Sequence, residues 1–444
     1  MSSILTCISW VPRGIAAEQP SLEDITEEQV DQLRKLINEA SVEPENHKHD
    51  SDEEPEPLTN NPGGMFYSSN TEDPLLQQEN SDNEDIADLT IPQHVYLLIA
   101  GKVNMPEREG FLEQWKVDHG SSSDSSVELH HDRVLKSAPI CVEWMGVGPG
   151  GDPKPHLAAV GYMEPGIEIW NMNDVTALEP VALLGSKATK SLKTSKKRML
   201  NKKSSLTGQK ATSSGHKGAT MNLSWNRLRQ NLLASSGDDS MVFIWDLNDS
   251  KQPIWSSPSS ISHTKPVQTI DWSPFSESII LTSSFDKRAQ IVDLRQSPLS
   301  AITFSLSSDA ESADWIRSSS DINQSNFLIG CDDGSISSFD PRNPQSRLFM
   351  IDAHKSSAIV ASHPRLSNLL ISGGSDKCLK AWSLKGEPVL IHKENVKETV
   401  GEVFCVKFNE YADDQSIGLV AAGGSEGEIH VFDCMTWQNV ISSI

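Results

Sequence analysis

The stretch LLASSGDDSMVFIWD, residues 232–246, carries the plan of most of the chain. An apolar run passes through small residues to an acidic turn. Apolar and polar residues then alternate up to an aromatic and a final polar residue. Two such runs across a tight polar turn read as a β-hairpin. Five other segments share the design: LAAVGYMEPGIEIWN (157–171), ILTSSFDKRAQIVD (280–293), FLIGCDDGSISSFD (327–340), LLISGGSDKCLKAWS (369–383) and LVAAGGSEGEIHVFD (419–433). Their second-to-last residues are Trp170, Trp245, Val292, Phe339, Trp382 and Phe432, separated by 75, 47, 47, 43 and 50 positions. The long first interval contains a lysine-rich stretch of about thirty residues, and removing it restores the period. A period in the forties with short strands is the mark of propeller blades.

Two further columns keep the same period. Short strands ending in an aromatic lie upstream: PICVEW (139–144), TMNLSW (220–225), VQTIDW (267–272), ESADW (311–315) and VFCVKF (403–408). His216, His263 and His354 precede Trp245, Val292 and Trp382 by 29, 29 and 28 residues. This spacing of histidine, turn acid and tryptophan resembles the WD-repeat family over about 300 residues. In that family the three side chains join a hydrogen-bond network inside each blade. The resemblance places the turn acid at Asp239, Asp286, Asp333 and Asp376, with Glu426 in the last repeat.

These columns give six units, and a seventh is split. LTCISW (5–10) matches the aromatic-ended strand, while HVYLLIAG (94–101) and GFLEQWKV (110–117) supply its partners. The expected fold is all-β, a seven-bladed WD-repeat propeller with an acidic, mostly disordered insertion in blade one and a lysine-rich loop insertion. The expected order is a first strand within 1–17, the acidic insertion over 18–90, and the propeller over 91–444. Blade one runs over 91–129, blade two 130–185, the basic insertion 186–217, blade three 218–260 and blade four 261–305. Blades five, six and seven follow over 306–350, 351–395 and 396–444, and the tail 431–441 is expected to form the last outer strand.

The 444 residues carry 38 Lys+Arg and 61 Asp+Glu, a net charge of −23, spread unevenly. Between Glu18 and Asp88, 21 acids face Arg34, Lys35 and Lys48; between Ser186 and Lys217, ten cations face no acid. Such blocks expose like charges and bury little, so disorder is expected. One segment of the acidic block differs. Thr26 to Gln29 is a capping-box pattern, and Val30, Leu33, Ile37 and Ala40 then share one helical face. A short helix is expected over 26–40, docked on its own protein or offered to a partner.

Little points to catalysis. GVGPGG (146–151) contains a proline and precedes no helix, unlike a phosphate loop. His47 with His49, and His130 with His131, are chance neighbours sooner than metal ligands. Six cysteines without a CxxC pair argue against zinc and against a secreted disulfide framework. The longest nearly apolar run, Val95 to Gly101, is far short of the ~20 residues of a membrane helix. Residues 1–14 do not read as a signal peptide. No enzyme activity, cofactor, metal, membrane or small-molecule substrate is expected.

The sharper signal is KTSKKRMLNKK (193–203). Lys193, Lys196, Lys197, Arg198, Lys202 and Lys203 suit nuclear import or contact with RNA or DNA backbone charge. The acidic block suits basic proteins such as histones or ribosomal proteins. Ser51 and Ser81 precede acids and are candidates for an acid-directed kinase.

One group within the WD-repeat family, the periodic tryptophan proteins, matches more closely. The residues that carry this are TCISWVPRG (6–14), EEQVDQLRKLINEA (27–40), HHDRVLKSAPICVEWMGV (130–147), SWNRLRQNLLASSGDDSMVFIWD (224–246) and the run 158–187 leading into the lysine-rich stretch. The resemblance implies a nuclear and nucleolar scaffold in ribosome biogenesis, concerned with ribosomal RNA production or processing, whose partners are proteins of pre-ribosomal particles. A chromatin regulator binding histones and a substrate adaptor of a ubiquitin ligase are the alternatives.

Overall fold

Each alternating run is a strand in the computed structural model, which describes residues 2–18, 89–119, 125–148, 156–185, 215–248, 252–296, 300–317, 326–414 and 416–443. The first blade takes β1 (Ser2–Val11) from the start of the chain. Its other strands are β2 (Tyr96–Met105), β3 (Glu109–Asp118) and β4 (Ser126–Leu135). The second blade is β5 (Pro139–Met145), β6 (Leu157–Tyr162), β7 (Ile167–Asn171) and β8 (Ala182–Leu184). The third is β9 (Thr220–Trp225), β10 (Leu232–Gly237), β11 (Val242–Asp246) and β12 (Trp255–Ser256). The fourth is β13 (Val267–Trp272), β14 (Ile279–Ser284), β15 (Arg288–Asp293) and β16 (Ala301–Ser305). The fifth is β17 (Ala310–Trp315), β18 (Phe327–Cys331), β19 (Ser335–Phe339) and β20 (Arg347–Asp352). The sixth is β21 (Ala358–Ser362), β22 (Leu369–Gly374), β23 (Cys378–Ser383) and β24 (Val389–Asn395). The seventh is β25 (Val403–Phe408), β26 (Leu419–Gly424) and β27 (Ile429–Asp433).

Every sheet is an antiparallel meander in chain order. Each first strand lies beside the next blade's first strand, and β25 lies beside β1, so the ring closes around a central channel. The second strands β6, β10, β22 and β26 are buried at every residue, because each blade is covered on both faces by its neighbours. Tryptophans at the first-strand ends seal the joints, as where Trp144 meets Trp225 edge-on at 5.5 Å. The acid turns between second and third strands place a residue in the left-handed region: Ser240, Lys287, Gly334 and Lys377 in four of them. At Gly334 only glycine fits, since a Cβ would lie 2.1 Å from the His354 carbonyl oxygen.

The chain departs from expectation in two places. The tail does not form an outer strand. It makes a 3-10 turn, Cys434–Thr436, and the helix α1 (Gln438–Ser443). Asp433 caps the turn by accepting the Met435 N–H at 2.8 Å. Trp437 stacks on His392 at 4.0 Å and on Phe432 at 5.1 Å, and Val440 is fully buried. Apolar packing thus draws the tail onto blade six. The second departure concerns boundaries. The first blade's outer strand crosses the 129/130 boundary, because β3 is ten residues long and pairs with β4 from Gly110–Leu135 to Asp118–Ser126. Likewise β20 runs to Asp352, past 350.

The expected helix 26–40, His47, His49, Ser51, Ser81 and the basic cluster 193–203 lie outside the described residues.

Candidate functional site: the blade networks and the two mouths of the channel

The histidine column meets the turn acids. His216 Nδ1 lies 3.0 Å from Asp239 Oδ1, His263 Nδ1 3.1 Å from Asp286 Oδ2, and His354 Nδ1 2.7 Å from Asp376 Oδ1. On the other ring nitrogen, each histidine meets a hydroxyl that sequence spacing had not singled out: Ser235 at 2.8 Å, Thr282 at 2.9 Å and Ser372 at 2.8 Å. Trp245 and Trp382 donate to Ser235 and Ser372, each at 2.9 Å. A neutral histidine satisfies the whole chain: tryptophan N–H to serine, serine O–H to Nε2, Nδ1–H to carboxylate. Burial holds His354 below the ordinary imidazole range. Burial opposes ionisation of Asp239 and Asp376, but the histidine hydrogen bonds outweigh it and hold both carboxyls below their ordinary range.

Two positions break the pattern. In blade four the tryptophan is Val292, and Thr282 turns to the Gln290 carbonyl at 3.5 Å. In blade five Asp333 has no histidine and caps its own turn through the Ser335 N–H at 3.0 Å.

The His130–His131 pair is brought together, Nδ1 to Nδ1 at 2.7 Å, with His130 Nε2 on the Leu89 carbonyl. Among the described residues no group of three or more His, Cys, Asp or Glu is placed to hold a metal. Among them, too, no helix is long and apolar enough to cross a membrane.

The upper face is the one at which first strands begin, and the lower face the one at which they end. The upper mouth holds about 400 Å³ and has an apolar rim that includes Ile140, Met221, Ile359 and the exposed Phe404. The lower mouth holds about 280 Å³ and is lined by charge. This charge was not singled out by the repeat spacing, although it has a positional signature. The residue just before the strand-ending aromatic faces the channel: Glu143, Asp271, Asp314 and Lys407, with serines at 9 and 224. Two residues after that aromatic come Arg227, Arg317 and Glu410.

The lower charges form two layers. Nearest the face, Glu410 of blade seven pairs through one oxygen with Arg227 of blade three and, at 2.6 Å, with Arg317 of blade five. Burial disfavours the Glu410 charge, but the two guanidiniums outweigh it and hold the carboxyl at about 2. Beneath, Lys407 sits in the field of Glu143, Asp314 and Asp271, which raises its affinity for its proton despite burial. Burial, then the neighbouring Asp314, pushes Asp271 up to about 7. Several of these groups also tie blade to blade: Ser224 donates to Asp271 at 3.0 Å and accepts the Trp272 N–H at 3.1 Å.

The insertions leave from opposite faces. The ends of the acidic insertion meet below blade one, where Ile91 N–H donates to the Glu18 carbonyl at 2.9 Å. The ends of the basic insertion meet above blades two and three, where a Cβ on Gly215 would lie 2.7 Å from the Gly185 Cα.

The WD domain, G-beta repeat family matches residues 208–246, the segment that holds His216, Asp239 and Trp245. With seven blades and the repeated histidine–acid pair in place, the fold is settled. The chain is a WD-repeat β-propeller. It is similar to periodic tryptophan protein 1 homolog of Drosophila melanogaster, 25% identical over 85% of this chain and 83% of that protein. Periodic tryptophan protein 1 of Saccharomyces cerevisiae is 28% identical over 77% of this chain and 59% of its own length. An uncharacterized WD repeat-containing protein of Schizosaccharomyces pombe is 28% identical over 98% of this chain and 89% of its own length. The resemblance to the periodic tryptophan proteins therefore extends along most of the propeller, well beyond a single repeat.

Proposed function

We propose that this propeller is a non-enzymatic scaffold of ribosome biogenesis, acting in the nucleus and nucleolus. The observation that carries the scaffold reading is that the ends of the two charged insertions are anchored on opposite faces of one closed ring. The insertion with ten cations is rooted above, and the insertion with 21 acids below. Opposite fields on opposite faces suit a body that holds RNA on one side and basic proteins on the other. The histidine, acid and hydroxyl constellations lie inside blades and bind their own turns, so they support structure and not substrate chemistry. The ribosomal part of the reading is supported by the resemblance to the periodic tryptophan proteins over most of the chain.

The test is a native pull-down from nuclear extract over a salt series, sequencing bound RNA and identifying bound proteins. Wild type is compared with a variant in which Lys193, Lys196, Lys197, Arg198, Lys202 and Lys203 are alanine. Precursor ribosomal RNA with assembly factors is expected on the wild type and lost on the variant. The salt slope should fall by about 0.7 for each phosphate contact removed. Histones and ribosomal DNA without precursor RNA would overturn this reading in favour of the chromatin regulator.

A further inference from the structure

The third strands of blades two to six are buried along almost their whole length, whereas all five residues of β27 are only half-buried. The fourth strand of the other blades has no counterpart in blade seven among the described residues. Among the described residues the seventh sheet stops at three strands, and α1 packs against β23 and β24 of blade six.

The phase of that edge follows from the other blades. Cys434 N–H donates to the Gly418 carbonyl, as Met172 does to His156 and Leu247 to Asn231. Three residues earlier in blades two and three, the carbonyls of Ile169 and Ile244 turn outward and accept the fourth strand's Val181 and Ile254 N–H groups, at 2.7 and 2.8 Å. The equivalent residue in blade seven is Val431, with Ile429 two positions before it. Their backbone groups face outward where other blades hold a fourth strand. A row of strand donors and acceptors with no strand beside it among the described residues is a template for strand addition.

We infer that the edge of β27 accepts an extended segment of a partner protein as the fourth strand of blade seven. The incoming strand runs antiparallel to β27, from beside Asp433 to beside Glu428. Alternate apolar side chains join Ile429 and Val431 on one face and Phe432 on the other. Its far end meets the exposed Glu426 and Glu428, with Glu394 of blade six close to His430 at 3.5 Å. The partner segment is therefore an alternating β-former that ends in lysine or arginine. A second copy of this chain fits worse, since antiparallel pairing about Val431 sets Glu428 of each copy next to Asp433 of the other. The inference does not rest on the ribosomal reading, because the open edge is present whichever particle the propeller joins.

The experiment pans random dodecapeptides displayed on phage against the full-length chain, with Val431→Pro as the comparison. Proline is tolerated at an edge residue whose N–H is unused, so this variant should melt within a few degrees of wild type, yet it removes a donor and blocks pairing. Enriched sequences should alternate β-branched or aromatic with polar residues and finish on Lys or Arg. As free peptides they should bind wild type about tenfold or more tighter than Val431→Pro. Hydrogen exchange at Ile429 and Val431 should be fast in the free protein and slow with peptide, a readout that stands even if the variant folds poorly. Absence of an alternating consensus, or equal binding to the variant, would overturn the inference. So would slow exchange at both amides in the free protein, whether another part of the chain or a second copy covers the edge.

Discussion

His354 and Asp376 are 22 residues apart in the chain and 2.7 Å apart in space, joined Nδ1 to Oδ1 across the mouth of a hairpin in blade six. The bond ties the loop that enters the blade to the turn between its second and third strands. Ser372 and Trp382 extend it into the blade's core.

Asp376→Ala strands the buried His354 N–H and should cost about 2–3 kcal/mol. That corresponds to a fall of roughly 3–5 °C in melting temperature for a propeller of this size. Trp382→Phe keeps the ring and removes only the donor to Ser372, so about 1 kcal/mol is expected. Calorimetry on the two single variants and the double variant checks the size and the coupling, which should be non-additive.

Acid should loosen blades one, two and six before it reaches the carboxylates. Burial is the main reason that His131 and His156 titrate near 3, against 6.5 when exposed. His363 is held near 4, again mainly by burial. At these three histidines the unfolded chain therefore binds more protons than the folded one below pH 6.5. Stability is full above that pH and lost as pH falls toward 4 and 3. Urea midpoints of Asp271→Asn, which removes the opposing titration of that carboxyl, should hold between pH 7.5 and 6.5 and decline from there to 4.5, and a flat profile would contradict the burial of these rings.

Glu410→Gln uncouples three blades at once by releasing Arg227 and Arg317. Their side chains are 39% and 26% exposed, so solvent screens the loss, and about 1–2 kcal/mol is expected. Repeating the urea titration in 0.5 M salt should shrink the difference, since the pairs lie at an open mouth.

Asp271 has the opposite pH sign. Its folded value of about 7 stands above the ordinary 3.8, so the folded state holds the extra proton. Its contribution is present below 3.8 and lost as pH rises through 7. Asp271→Asn keeps an oxygen for the Ser224 hydroxyl. Its stability relative to wild type should therefore rise between pH 5 and pH 8, read as the difference in urea midpoint.

Trp437→Ala removes the ring held between His392 and Phe432 and uncovers Val440. A loss of about 3 kcal/mol is expected. Faster hydrogen exchange confined to β24 and β27 would mark the tail as the fastener of blades six and seven, whereas uniform destabilisation would not.

The period, the blade count and the split first blade were legible because a propeller repeats one local problem. Each blade must alternate residues between two covered faces and turn at fixed intervals, and that pattern is written in 232–246 and its five counterparts. The histidines and turn acids were legible for the same reason. Their hydroxyl partners at 235, 282 and 372 were not, since a serine or threonine in a run of small residues looks like any other. The tail misled because VFDCMTWQNVI has strand-like residues. Its outcome turned on Trp437 finding His392 in the neighbouring blade, a contact between residues 45 positions apart.

Sequence by itself determined the repeating strand pattern, the existence of two oppositely charged insertions and the residues at every period. These are set by local spacing, with periods of two within strands and about 47 between blades. Only the tertiary structure decided that the insertions leave from opposite faces, that Glu410 bridges Arg227 and Arg317 across the channel, and that among the described residues β27 has no strand on its outer edge. Each of these depends on closing the ring, which brings together groups as much as 400 residues apart, as Arg13 and Asp413, and no local pattern encodes that distance.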